Sequence, residues 1–176
     1  TCADIAVVGE GEITMKELAS DLPLETIKGI LYKKNGRIIQ NVFRELVRDL
    51  DSLPFAAWDL FPMEIYTSNV AHANLIGRKT EMSFIAGRGC PYNCSFCYHV
   101  FGSGYRTLSV DRIMGELKVL LRKHPVKAIA FLDETLTISK KRMIEFCERY
   151  KKEIGLPWSC FGRVDLVDED MLTSMK

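Results

Sequence analysis

The chain has 176 residues, 47% of them hydrophobic and 27% charged, the balance of an ordinary globular protein. Its 24 basic and 23 acidic residues leave a formal net charge of +1, which gives no electrostatic footprint for nucleic acid or for an anionic membrane surface. No apolar run approaches the ~20 residues of a transmembrane helix. No secretory signal opens the chain, so clustered cysteines read as metal ligands in a reducing cytoplasm rather than as disulfides.

In chain order, residues 4–8 (Asp-Ile-Ala-Val-Val) are a short apolar run suited to a buried parallel strand. Gly9-Glu10-Gly11-Glu12 then leads into a helix predicted over 13–19, with Thr14 as its N-cap. One strand and one helix cannot bury a core alone, so 1–22 reads as the end of a larger α/β domain, and Thr1 in place of Met reads as a cut. Residues 23–79 read as a connector. Within it, 29–41 is predicted as a hairpin turning on Asn35-Gly36, the favoured pair for a two-residue type I′ turn. The aromatic, proline-punctuated stretch 51–62 is expected to be irregular and to pack its rings into a domain boundary. Residues 80–176 alternate strand and helix. Strands are expected at 82–86, 126–132 and 156–161. A helix over 110–123 is capped by Ser109, carries Ile113, Leu117, Leu120 and Leu121 on one face, and is stopped by His124-Pro125. A second runs from the cap Ser139 to about 154, with Met143, Ile144, Phe146, Cys147 and Tyr150 apolar, and ends at Gly155. A third starts at Asp168. Such alternation predicts parallel strands joined by right-handed crossovers.

The chemistry concentrates in Gly87-Arg88-Gly89-Cys90-Pro91-Tyr92-Asn93-Cys94-Ser95-Phe96-Cys97-Tyr98-His99, where three of six cysteines fall at C-x3-C-x2-C spacing. Three thiols on a strand-to-helix loop are good ligands for a soft metal centre, and three is one fewer than a closed tetrahedral site uses. The motif, with Arg88-Gly89 before it and Phe96 before its last cysteine, resembles the cluster motif of the radical S-adenosylmethionine superfamily, in the version carried by members with an N-terminal cobalamin-binding domain. Val8-Gly9-Glu10-Gly11-Glu12, the hairpin and Leu53-Pro54-Phe55…Trp58-Asp59 are similar to the same class. The resemblance implies an α/β fold, the N-terminal half of a partial (β/α) TIM barrel over 80–176. Before it would come the last strand and helix of a Rossmann-like cobalamin-binding domain over 1–22, and the connector over 23–79.

It further implies that Cys90, Cys94 and Cys97 hold three irons of a 4Fe-4S cluster, and that S-adenosylmethionine (SAM) binds the fourth. One electron then cleaves SAM to methionine and a 5′-deoxyadenosyl radical for C–H activation. Cobalamin stays open as a third cofactor, and methyl transfer and ring formation are both compatible. The partners implied are a small-molecule substrate and an electron donor such as a flavodoxin or ferredoxin. In (β/α) barrels functional groups follow the C-terminal ends of strands, which selects Asp133-Glu134-Thr135 after the second strand, and Arg163 and Asp165 after the third. By resemblance Phe96 lies against the adenine of SAM and Tyr98 lines the same area. Glu134, marginally preferred to Asp133, receives the ammonium, while the other carboxylate caps the next helix. Arg163 either meets the SAM carboxylate or pairs with Asp165 or Asp133. Cys147 reads as core. Two alternatives stand beside this reading. A methylthiotransferase-like protein would need further upstream cysteines, of which Cys2 alone is present. A non-catalytic module would hold zinc, with His99 as the nearest fourth ligand, or an iron–sulfur cluster for electron transfer.

Overall fold

A computed structural model describes residues 3–68, 80–98 and 101–176. The chain forms two compact units, Thr1–Arg48 and Asp49–Lys176.

In the first unit, β1 (Ile5–Val7) is followed by helix α1 (Glu12–Leu18) and by the hairpin strands β2 (Ile30–Lys34) and β3 (Arg37–Gln40). The hairpin turns as its sequence requires, with Asn35 at φ 52° and Gly36 at φ 74°, both in the left-handed region of a type I′ turn. Ile27, Ile30 and Tyr32 form the core, covered by Val7, Leu18, Leu24 and Ile39. Two expectations are corrected. The first strand is antiparallel: β1 pairs with β2, Ile5 opposite Tyr32 and Val7 opposite Ile30, and Ile5 is exposed. The nearest open strand edge is that of the hairpin, and a three-residue run does not encode its own direction. Thr14 is not a cap. It lies inside α1, fully buried, with its hydroxyl donating to the Lys28 carbonyl at 3.2 Å and accepting from Arg44 Nε at 2.8 Å. The turn at Gly9, φ 84°, lets the helix begin at Glu12, and the hydroxyl is used instead to tie helix to hairpin.

The second unit carries a parallel sheet in the order β4 (Met82–Phe84), β7 (Ile129–Phe131), β8 (Trp158–Cys160). Phe84 is level with Phe131, and Phe131 with Cys160. Between β4 and β7 lie a two-residue ladder, β5 (Gly87–Arg88) and β6 (Arg106–Thr107), and helix α3 (Val110–Lys123). Helix α4 (Lys140–Glu153) joins β7 to β8, and α5 (Glu169–Met175) follows. Helix α2 (Met63–Ser68), inside the stretch expected as connector, precedes the sheet. The core is aromatic. The Phe131 ring meets Phe84, Phe146 and Trp158 edge-on at 5.2–5.8 Å, a favoured geometry for ring quadrupoles. Ile113, Met114, Leu117 and Leu120 of α3 and Met143, Phe146, Cys147 and Tyr150 of α4 are buried. Of the rings of 51–62, Phe55 lies under the Arg112 guanidinium of α3, 4.1 Å away, yet both it and Phe61 remain exposed.

The starts of α3, α4 and α5 are where the sequence puts them. Ser109 and Ser139 accept from the backbone N–H of Arg112 and Arg142, and Asp168 accepts from Met171. Ser139→Ala is expected to cost about 1 kcal/mol, read as a lower urea midpoint at unchanged slope. An unchanged midpoint would mean that water caps α4 equally well. No helix among the described residues is long and apolar enough to cross a membrane.

Candidate metal and cofactor site

The cysteine loop leaves the C-terminal end of β4 through a clamped residue. The Ala86 N–H donates to Asp133 Oδ2 at 3.0 Å, and the Ala86 carbonyl accepts from Leu108 N at 2.9 Å. Arg142, in the first turn of α4, reaches over the same point, donating to the Leu108 carbonyl at 2.9 Å and to the Ala86 carbonyl at 3.5 Å. The chain thus enters the loop held by groups from the end of β7 and the start of α4. Asp133 is 2% exposed, and burial pushes its carboxyl up to about 6 against the opposing pull of the Ala86 N–H and the Arg142 charge.

Beyond Ala86, the β5–β6 ladder pairs Gly87 with Thr107 and Arg88 with Arg106. Gly89 follows at φ 83°, so close to the returning strand that a Cβ would sit 2.0 Å from the Gly104 carbonyl oxygen. Cys90 is buried, its N–H donating to the Gly102 carbonyl at 3.2 Å. Cys94 is half-buried and Cys97 exposed, with Cys97 N–H donating to the Cys94 carbonyl at 3.0 Å. All three thiols are free.

The end of β8 contributes Arg163. Its guanidinium forms a two-pronged ion pair with Asp165, at 3.0 and 2.8 Å, and lies 3.9 Å over the ring of Tyr92. Its remaining corner, Nη1, is 3.1 Å from the Cys94 sulfur. The pairing holds the Asp165 carboxyl below its ordinary range and the Arg163 guanidinium above. Of the two side-chain carboxylates weighed for Arg163, Asp165 and Asp133, it meets Asp165. Groups following β4, β7 and β8 therefore gather at one end of the parallel sheet.

Comparison with known proteins places the chain. No family model matches. The chain is 36% identical to an uncharacterized methyltransferase of Pyrococcus horikoshii, over 99% of this chain and 38% of the relative. It is 30% identical to the anaerobic magnesium-protoporphyrin IX monomethyl ester cyclase of Rubrivivax gelatinosus, over 96% of this chain and 31% of the relative. The structure superposes on the radical S-adenosylmethionine methyltransferase TsrM of Kitasatospora setae with a TM-score of 0.68 at 16% identity, over 98% of this chain and 35% of that one. The chain is thus similar over nearly its whole length to a methyltransferase and a cyclase, and it shares its fold with a radical S-adenosylmethionine methyltransferase. It spans about a third of the length of these relatives.

Within this chain the residues singled out from sequence occupy different settings. Phe96 and Tyr98, 91% and 86% exposed, stand clear of the protein surface beside Cys97. Glu134 is half-buried just past β7. Asp133 caps no helix; the next helix takes Ser139, and Asp133 is turned inward onto Ala86. Cys147 is core, and burial pushes its thiol up to about 11 and that of Cys160 to about 12, so neither is a nucleophile at neutral pH. His99, His72 and Cys2 lie outside the described residues. Sequence reasoning named Gly89 only as part of the motif, and missed Tyr92, Arg142 and the use of Asp133. The paired Gly87-x-Gly89 and Gly102-x-Gly104 are the one signal that announces a close backbone approach.

Proposed function

We propose that this chain is the part of a radical SAM enzyme that binds a 4Fe-4S cluster through Cys90, Cys94 and Cys97 and receives SAM beside it. The observation that carries this reading is the anchoring of the three-thiol loop at the C-terminal end of a parallel sheet. Ala86 and Gly89 hold its root, and Arg163 from the next-but-one strand reaches its middle cysteine. The donor set fits: three free, soft thiols within eight residues suit iron. Among the described residues no three His, Cys, Asp or Glu are gathered around one point, so binding would draw the exposed Cys97 inward. The cluster, when bound, supplies the electron that splits SAM into methionine and a 5′-deoxyadenosyl radical able to take hydrogen from an unactivated carbon.

The residues of the chain bind and orient. The exposed rings of Phe96 and Tyr98 offer faces for the adenine, and the Glu134 carboxylate suits the ammonium of SAM. Arg163, its fork filled by Asp165, suits the Cys94 sulfur better than the SAM carboxylate. The similarity to TsrM supports reading 80–176 as the first half of a partial (β/α) barrel, 1–22 as the end of a cobalamin-type domain and 23–79 as the connector. The methyltransferases and the cyclase among the relatives support a small-molecule substrate and either methyl transfer, with cobalamin, or ring formation. A reducing cytoplasm with a flavodoxin or ferredoxin as electron donor suits such a cluster.

The test is anaerobic reconstitution with iron and sulfide, followed by EPR of the reduced protein with and without SAM. A 4Fe-4S signal that changes on adding SAM is the expected result. Bound zinc and no cluster would end the reading, and a cluster indifferent to SAM would leave an electron carrier in its place.

A further inference from the structure

We propose that Arg163 is a positioning residue of the metal loop: fixed by Asp165 and Tyr92, it donates a hydrogen bond to the Cys94 sulfur and thereby makes a cluster held there easier to reduce. The inference rests on the cluster reading above and goes beyond it, because it assigns a role to a side chain that is not a ligand. The geometry leaves the guanidinium little freedom. Two of its nitrogens are committed to the two oxygens of Asp165, at 3.0 and 2.8 Å. One face is stacked on the Tyr92 ring at 3.9 Å, and Tyr92 itself lies midway between Cys90 and Cys94 in sequence. A planar fork fixed at two corners and one face aims its remaining corner, and that corner meets Cys94 at 3.1 Å. The same contact spans 69 residues of sequence, so it ties the loop after β4 to the turn after β8. The sheet thereby registers the position of the metal loop from two strands away.

The consequence for a bound cluster follows from charge. Reduction adds one electron to a centre whose potential responds to net charge and to hydrogen bonds on its sulfurs. A cationic N–H donor at a ligand sulfur stabilises the reduced, more negative form. Lysine would keep the charge and lose the fork that aims it.

The experiment uses the intact protein, reconstituted anaerobically, as wild type, R163M, R163K and D165N. Iron content is measured first, then the midpoint potential by EPR-monitored titration with a chemical reductant. R163M is expected to take up iron as wild type does and to lose about tenfold in the equilibrium constant for reduction, a fall of about 59 mV for a one-electron couple. R163K and D165N should fall between the two. Equal potentials at equal iron content would overturn the proposal. A second measurement needs no cluster: urea unfolding of the apo protein as R163M, C94A and the double variant. The losses should fail to add if the two side chains interact, and strict additivity would overturn the contact. If wild type takes up no cluster, the cluster reading fails together with the effect on reduction, while the apo cycle still decides whether Arg163 holds Cys94.

Discussion

A Gly89→Ala protein is expected to keep its helices and lose its capacity to take up iron. Gly89 has φ 83°, and a Cβ there would stand 2.0 Å from the Gly104 carbonyl oxygen, 2.9 Å from the Gly104 carbonyl carbon and 3.0 Å from the Gly102 carbonyl oxygen. All three are backbone atoms, so no side chain can rotate away. The left-handed conformation alone costs an alanine about 1–2 kcal/mol; relieving the overlap would also part the two backbones just where Cys90 N–H donates to the Gly102 carbonyl. Cys90, the first thiol, would then lose its fixed position. Helix α3 buries Leu117 and Leu120, and α4 packs Phe146 and Tyr150 on Phe131 and Trp158 of the sheet, so far-ultraviolet circular dichroism should stay near wild type. The measurement is iron and sulfide content after anaerobic reconstitution, expected to drop by about tenfold or more, since each 1.4 kcal/mol is tenfold in a binding equilibrium. Wild-type iron content in Gly89→Ala would mean that the two segments part at no cost and that the tight approach has no bearing on metal binding.

How much of this was legible follows the range of each interaction. Helices α3, α4 and α5 could be read to within a residue or two because their signals are local. Ser109, Ser139 and Asp168 each cap within three residues of themselves, and Gly155 stops α4 at φ 67°. The Asn35-Gly36 turn and the three-thiol spacing are local in the same sense. What escaped is non-local. Nothing in Ile5-Ala6-Val7 says which strand edge will be near, so a run that reads as a parallel strand pairs with an antiparallel hairpin in the fold. The hydroxyl of Thr14 serves an N-cap and a tertiary contact equally well, and only the presence of Arg44 and Lys28 decides. Asp133 and Glu134 are adjacent carboxylates; which one turns inward depends on the pleat at the end of β7. Arg163 and Cys94 meet across 69 residues, a separation that no local pattern records.

Asp133 makes the protein's stability depend on pH in the direction opposite to that of most carboxylates. Its Oδ2 holds the Ala86 N–H, and its Oδ1 sits 3.0 Å from the place where a Cβ on Gly87 would be. The carboxyl is thus packed against the loop root with almost no access to water. Burial is the largest influence and raises it to about 6; the Ala86 hydrogen bond and the Arg142 charge oppose but do not cancel the desolvation. In the unfolded chain the same group titrates at about 3.9. The folded state therefore holds the proton more tightly than the unfolded state does. Between those values the unfolded chain binds fewer protons, and stability falls as pH rises. This group's contribution is complete below about pH 4 and is lost as pH passes through 6; the whole change amounts to roughly 3 kcal/mol. The substitution Asp133→Asn keeps an oxygen for the Ala86 N–H and leaves no charge to desolvate. The measurement is urea unfolding of both proteins from pH 4 to pH 7. The stability of wild type relative to Asp133→Asn should fall by about 2–3 kcal/mol across that range. A constant difference between the two proteins would show that Asp133 titrates alike folded and unfolded, and that the root of the cysteine loop is open to water. If the difference does fall, the protein at neutral pH carries a desolvated negative charge beside the metal loop. That charge would favour a bound cation at this end of the sheet, the polarity that the proposed SAM site would need.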